Sequence, residues 1–268
     1  MQIRLIGIDV DGTLVGSSGE VLPHVREAAR RARAAGIRLM LCSGRPAFGV
    51  TLEYASDLDP DGWHVFQNGA SIVHLPSRES LSVSLPTGAV AQVVAFAREN
   101  AQVLELYSDT EYVTDSTSAW AREHAELLGV PFQARPFASL RGAVVRAQWL
   151  VSAAQAALVT EQAPAGLEVA VSSSPLMPRT RFVGLTRAGT SKGTAIRAVA
   201  QKYGIDLADV MYVGDSGNDV SALRIVGHPV AMGNADEAVM AEARHVVPHV
   251  DEGGLADALA LALQDIRR

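Results

Sequence analysis

The apolar run Ile3-Arg4-Leu5-Ile6-Gly7-Ile8 ends on Asp9-Val10-Asp11-Gly12-Thr13-Leu14, so two carboxylates one residue apart follow a strand and precede a turn. Side chains alternate across a strand, and Asp9 and Asp11 could not serve one site within a regular one. The glycine directly after them frees the backbone to turn, which predicts that both carboxylates converge. Carboxylates in one pocket repel each other unless a hard cation or a shared proton offsets the charge. A divalent metal and acid/base chemistry are therefore expected at this strand end.

An acidic turn alone is commonly a solvated loop, but three later strand ends supply partners. The strand Ile37-Arg38-Leu39-Met40-Leu41-Cys42 runs into Ser43-Gly44-Arg45-Pro46 and a helical stretch at about 47–57. Pro46 suits a first helical position, which would place the Ser43 hydroxyl and the Ser43 and Gly44 amides at a positive helix end, ready for an anion. Gly189-Thr190-Ser191-Lys192-Gly193 sets an ammonium at the start of another helix, and Val210-Met211-Tyr212-Val213 leads into Gly214-Asp215-Ser216-Gly217-Asn218-Asp219. In an open parallel α/β sheet ligands bind beyond the carboxyl ends of the strands, so four polar loops in that position read as one site.

Taken in order, these four segments resemble the haloacid dehalogenase superfamily of phosphohydrolases. Gln67-Asn68-Gly69-Ala70 and Val230-Ala231-Met232-Gly233-Asn234-Ala235 are similar to its Cof-type branch (subfamily IIB) of sugar-phosphate phosphatases. The resemblance covers the whole chain and implies a Rossmann-like core with an inserted mobile cap that selects the substrate. It also implies that Asp9 attacks phosphorus to form an aspartyl-phosphate, while Asp11 protonates the leaving oxygen and later activates water. Mg²⁺ would be held by Asp9, by the backbone carbonyl of Asp11 and by Asp215. Lys192 would stabilise the transferring phosphoryl group, with Ser43, Gly44, Arg45 and Asn218 binding its oxygens. Asp219 would support the site by orienting a metal-bound water or pairing with Lys192. The chain has 23 Lys plus Arg, of which only Lys192 and Lys202 are lysine, so a compact point charge stands at the motif in a chain that otherwise uses arginine.

Competing motifs fail on spacing. A nucleotide P-loop needs its glycine before the lysine, whereas here Gly193 follows Lys192; a cysteine-dependent phosphatase needs Arg six residues after Cys42, where Phe48 stands. Cys42 reads as a small buried strand residue. One cysteine permits no internal disulfide, the N-terminal segment carries Asp9 and Asp11 where a signal peptide would be apolar, and no apolar run approaches a membrane span. A cytoplasmic location is expected, with no membrane partner. A net charge of −6 argues against nucleic acid as a partner. The expected substrate is a small phosphorylated metabolite, sugar phosphates foremost; the alternatives are a phosphomutase of the same chemistry or a non-catalytic metabolite-binding regulator. Oligomeric state is not legible.

Strand and helix patterns alternate from 1 to about 80 and again from about 189, as one α/β doubly wound, mostly parallel sheet. Helices are expected at about 21–35, 47–57, 192–203, 217–226, 235–243 and 253–265, with strands at 4–9, 37–42, 64–67, 210–213, 228–231 and 245–247. Between them strand-like 81–85, helices 87–99 and 116–128, and strands 103–107, 111–114, 144–151, 167–172 and 181–186 read as an α+β insert. The domains drawn from this are 1–82 plus 188–268 as catalytic core and 83–187 as cap. Tyr107, Tyr112, Trp120 and Trp149 read as cap core, the seven histidines show no metal-ligand spacing, and Arg179 and Arg181 are the first candidates for substrate selection.

Overall fold

The computed structural model describes residues 2–174 and 176–265. In chain order the elements are β1 (Leu5–Ile8), α1 (Pro23–Ala34), β2 (Arg38–Leu41), α2 (Val50–Leu58), β3 (Trp63–Phe66), β4 (Ser71–His74), α3 (Thr87–Glu99), β5 (Val103–Tyr107), β6 (Tyr112–Val113) and α4 (Ala119–Leu128). They continue with β7 (Arg146–Ser152), α5 (Ala153–Glu161), β8 (Leu167–Ser174), β9 (Met177–Arg187), α6 (Lys192–Tyr203), β10 (Val210–Gly214), α7 (Val220–Leu223), β11 (His228–Ala231), α8 (Glu237–Glu242), β12 (His245–Val246) and α9 (Gly254–Asp265). They form two compact units, Met1–Arg45 with Leu52–Leu81 and Ser191–Arg268, and Pro46–Thr51 with Ser82–Thr190.

The first unit is an α/β unit on a five-stranded parallel sheet ordered β12-β11-β10-β1-β2, beside the antiparallel pair β3-β4. An isolated parallel bridge between Cys42 and Val65 links β3 to the end of β2. Each residue of β1, β3 and β10 is buried, as expected of strands covered on both faces, and this is why the parallel strands β1 and β10 read as apolar runs without alternation. From β1 the chain passes to β2 on one side, while β10 lies on the other. The strand order therefore reverses between β1 and β10, and the residues just past those two strands, Asp9 and Asp215, stand where such sheets bind ligands.

The second unit holds an antiparallel sheet ordered β6-β5-β7-β9-β8 with its own core, in which Trp149, Leu104, Leu106, Val183 and Leu185 are fully or almost fully buried. Opposite faces of β5 differ. Leu104 and Leu106 enter that core, while Glu105 carries a buried polar group: its carboxylate accepts from the Tyr107 hydroxyl (2.5 Å) and lies 2.8 Å from His124 Nδ1, and Gln148 donates to it (3.2 Å).

Three segments depart from the sequence reading. Residues 81–85 form no strand, although the Leu81 and Leu85 N–H groups donate to the Ile72 and Val144 carbonyls, with Pro86 closing the segment before α3. Helix α5 was not expected; its sequence signal is the Ser152 to Gln155 capping box ahead of an alanine-rich run. The helix expected from 47 begins only at Val50, because Gly49 adopts φ +63° and packs so closely that a Cβ there would lie 2.4 Å from the Leu128 carbonyl oxygen. Phe48 instead stacks on Tyr107 and Tyr112, with ring centroids 6.4 and 6.1 Å away.

Within β3, His64 is fully buried, accepts the Leu41 N–H at Nδ1 (3.0 Å) and meets the Asp59 carbonyl at Nε2 (2.8 Å). Burial lowers its pKa from 6.5 to about 4, so the neutral ring is the folded form. Its contribution to stability is present above pH 6.5 and lost as pH falls from 6.5 to 4, by about 3 kcal/mol. His64→Asn keeps an acceptor for Leu41 but does not titrate. In denaturant unfolding the stability advantage of wild type over this variant should shrink across that window; an advantage independent of pH would contradict the neutral ring.

Candidate active site

The loop after β1 is shaped by Gly12, which takes φ +87° and donates its N–H to the Val15 carbonyl (2.9 Å). The N–H groups of Thr13, Leu14 and Val15 turn back on the Val10 carbonyl, and Asn234 donates to the Gly12 carbonyl (2.8 Å). Gly12 is also where Asp215 packs: a Cβ would lie 2.3 Å from Asp215 Oδ2. The Thr13 hydroxyl donates to Asp215 Oδ1 (3.1 Å), so the β1 and β10 loops are fastened to each other.

The loop does not make Asp9 and Asp11 converge. Asp9 is buried and accepts from Lys192 Nζ at 2.5 Å. Asp11, with 59% of its side chain exposed, faces Arg45, whose Nε and Nη2 donate to its two oxygens at 3.0 and 2.5 Å. The carboxylates that do gather are Asp9, Asp215 and Asp219, with ligand oxygens within 4.8 Å of one another. The turn directs alternate residues to different partners, and the crowding foreseen between Asp9 and Asp11 arises between strand ends instead.

Lys192 is the first residue of α6, held by a capping box between Ser191 and Thr194. Only 1% of it is exposed, and its Nζ also donates to Asp219 Oδ1 (2.6 Å). Asp219 itself is saturated: the Tyr212 hydroxyl reaches Oδ1 (2.5 Å), and the N–H groups of Asp215 and Ser216 reach Oδ2 (3.0 Å each). Gly214 permits this wrap, since a Cβ there would lie 2.5 Å from Asp219 Cγ.

Three carboxylates, of which Asp215 is half-buried, and one ammonium leave the cluster with two negative charges when all are ionised. Burial alone would lower the Lys192 pKa, but Asp9 and Asp219 outweigh it and hold the ammonium above its ordinary value. Burial, against the pull of Lys192, raises Asp9 well above the ordinary carboxylate range, with Asp219 and Asp215 adding to the rise. Asp215 is pushed up to about 6 by burial and by Asp219. One ammonium cannot neutralise three neighbours, so the surplus carboxylates climb. A hard divalent cation answers both the charge and the all-oxygen donor set, and the residues present fit one. Asp9 and Asp215 are its side-chain candidates, because each oxygen of Asp219 already takes two donors.

The phosphate candidates are placed differently. No helix starts at Ser43 or Gly44; the Ser43 hydroxyl is buried and accepts from the Arg45 N–H (3.0 Å), and the Ser43 N–H donates to Val65. The helix end expected at these residues is thus not formed, and Ser43 and Gly44 stand in a loop instead. Gly44 lies against Asn68, and Arg45 is occupied by Asp11. The Asn218 side chain donates to Asn68 Oδ1 (3.0 Å), and Gln67 and Asn68 adopt φ of +52° and +55°. Asn68 and Asn234 stand in segments singled out in the sequence without a role; nothing in sequence spacing indicates that their amides lace loops together.

A family model for haloacid dehalogenase-like hydrolases matches residues 6–259. The chain belongs to this family. It is 27% identical over 266 residues to the putative phosphatase YxeH of Bacillus subtilis, covering 96% of this chain and 97% of that one. With the pyridoxal phosphate phosphatase YbhA of Escherichia coli it shares 28% identity over 268 residues, 92% and 94% of the two chains. A crystal structure of a haloacid dehalogenase-like hydrolase from Bacteroides thetaiotaomicron aligns with a TM-score of 0.85 at 28% identity, over 97% and 99% of the chains. As a haloacid dehalogenase-like hydrolase of Cof type, the chain is an enzyme. Among the described residues no helix is long and apolar enough to cross a membrane.

The Gly12 crowding gives a direct test. Gly12→Ala meets both an unfavourable φ and the Asp215 carboxylate, whereas Gly19→Ala, at φ +70° with nothing within 4 Å, meets only the first. Gly12→Ala should cost about 2 kcal/mol more than Gly19→Ala in thermal unfolding and abolish most hydrolase activity, with Gly19→Ala near wild type in activity. Equal melting temperatures and equal activities would show that Asp215 does not sit against Gly12.

Proposed function

We propose that this hydrolase is a Mg²⁺-dependent phosphatase of small phosphorylated metabolites, sugar phosphates foremost, working through an aspartyl-phosphate on Asp9. The observation that carries the reading is the set of buried Asp9 and Asp219 and half-buried Asp215 around a single buried ammonium. Two uncompensated negative charges beneath a polar loop suit a cation that in turn suits a phosphate dianion. Relatives named for phosphatase activity support the same class, and pyridoxal phosphate in the name of one of them keeps the substrate class at small phosphate esters.

Asp9, Asp215 and the Asp11 backbone carbonyl would hold Mg²⁺, which would supply a Lewis-acid charge for the phosphoryl oxygens. The residues do the rest. Asp9 presents a carboxylate oxygen to phosphorus, forming a P–O bond as the bond to the leaving oxygen breaks. Lys192, held at 2.5 Å from Asp9, fixes that carboxylate and bears positive charge where equatorial oxygens gather negative charge. Asp11 gives the leaving oxygen its proton and then takes one from the water that cleaves the acyl-phosphate, releasing phosphate and restoring Asp9. Asp11 reaches these positions only by leaving Arg45, and a phosphate oxygen accepting from the freed guanidinium is the exchange partner. Asn218 and the Ser43-Gly44 loop complete the phosphate contacts.

Asp9→Asn lacks the nucleophilic charge and should be nearly inert. Asp11→Asn should bind Mg²⁺ like wild type while losing rate about 10²- to 10⁴-fold, and Asp215→Asn should instead weaken Mg²⁺ binding. Calorimetric Mg²⁺ titration beside phosphate-release kinetics separates these outcomes; full turnover by Asp9→Asn, or in chelator, would falsify the mechanism.

The proposal extends to the second unit as the cap that selects among substrates, since every phosphate and metal candidate belongs to the first. Arg179 is exposed, and the Arg181 guanidinium donates to the Pro178 and Thr180 carbonyls. Replacing both with alanine should reorder a panel of sugar phosphates while changing turnover of a small generic ester by less than about twofold. An unchanged ranking would assign these arginines to the solvated surface.

A further inference from the structure

Tyr212 is buried in the middle of β10, paired in register with Gly7 of β1. Its ring needs that glycine: a Cβ on Gly7 would lie 2.7 Å from Tyr212 Cδ2. An aromatic ring at the centre of a parallel sheet brings a hydroxyl that must find a partner there. It donates to Asp219 Oδ1 at 2.5 Å, the same oxygen that accepts from Lys192 Nζ at 2.6 Å. The ammonium thus stands between two carboxylates, one of which divides its bonding with a phenol.

We propose that Tyr212 is a positioning residue: its hydroxyl occupies Asp219 Oδ1 and so keeps the Lys192 ammonium shared with Asp9. An acceptor oxygen relieved of one donor binds the other more strongly, and a lysine on a four-carbon stem follows the stronger partner. Without the hydroxyl, Lys192 moves toward Asp219, and Asp9 loses part of the cation that orients its nucleophilic oxygen. Asp219 keeps three donors, from Lys192, Asp215 and Ser216, so the fold does not depend on the phenol. For its kinetic consequence the inference rests on the phosphatase reading.

Tyr212→Phe removes one oxygen and keeps the ring. In the full chain with Mg²⁺, kcat on a generic phosphate ester should fall about tenfold, KM should stay within about twofold, and the melting temperature should stay within a few degrees. The chain has two lysines, so ¹⁵N-lysine labelling gives two ammonium resonances, an internal probe that needs no turnover. The Lys192 signal should shift and its protons exchange faster in Tyr212→Phe, with Lys202 unmoved. Tyr203→Phe, whose hydroxyl accepts from the Trp63 N–H (2.9 Å) and lies beside Arg38, away from Lys192 and Asp219, should leave the Lys192 signal in place. An unmoved Lys192 signal in Tyr212→Phe overturns the inference, as does an unchanged kcat. A wild-type protein that releases no phosphate from any ester would overturn the functional reading, while the Lys192 signal would still decide the role of Tyr212.

Discussion

The buried contact of Lys192 with Asp9 and Asp219 joins three distant parts of the sequence, and much of the first unit is arranged to make it possible. An ammonium taken from water carries a desolvation cost of several kcal/mol, which is offset only where geometry is good and every remaining polar atom finds a partner. That requirement accounts for the capping box that fixes the start of α6, for the two backbone N–H groups on Asp219 Oδ2, and for the phenol on Oδ1. It also accounts for a charge imbalance: the same enclosure that makes the ion pair tight raises Asp9 and Asp215 above ordinary carboxylates, an imbalance that a divalent cation there would relieve.

Close approach is the second constraint, and glycine is how the chain meets it. Gly7 admits the Tyr212 ring, Gly12 admits the Asp215 carboxylate, and Gly214 admits Asp219. At Gly193 a Cβ would lie 2.3 Å from the Ser221 carbonyl oxygen, so the first turn of α6 passes directly over the start of α7. Side chains at these positions would separate strand ends whose acidic groups must lie within a few ångströms of each other. The site is thus a property of backbone packing as much as of its carboxylates.

The second unit solves a different problem with different means. Its core on one sheet face is apolar and edge-packed, as where Phe96 meets Trp149 at 68° between ring planes. On β5 and β7 it also holds a buried carboxylate satisfied by a phenol, an imidazole nitrogen and an amide, with the Arg146 guanidinium over the Tyr107 ring at 5.1 Å. Sequence spacing alone treats Tyr107 and Trp149 alike as core, yet one is an apolar anchor and the other a member of a polar network.

Most of the strand and helix order, the parallel sheet and the loops that bring Asp9, Lys192, Asp215 and Asp219 together were legible from the sequence. Buried parallel strands announce themselves as apolar runs, and acidic or basic loops at their carboxyl ends are few. Which side chain faces which was settled only by tertiary packing. The Asp9-Val10-Asp11 spacing suggests a converging pair, but the turn sends Asp11 to Arg45 and leaves Asp9 to Lys192. Pro46 suggests a helix start, but Gly49 against the Leu128 carbonyl delays it to Val50, and Ser43 bonds within its own loop. Tyr212 looks like one more apolar strand residue until Asp219 is brought to its hydroxyl. Sequence periodicity reports which residues are buried, while partner choice among buried polar groups depends on distances between elements far apart in the chain, which no local pattern encodes.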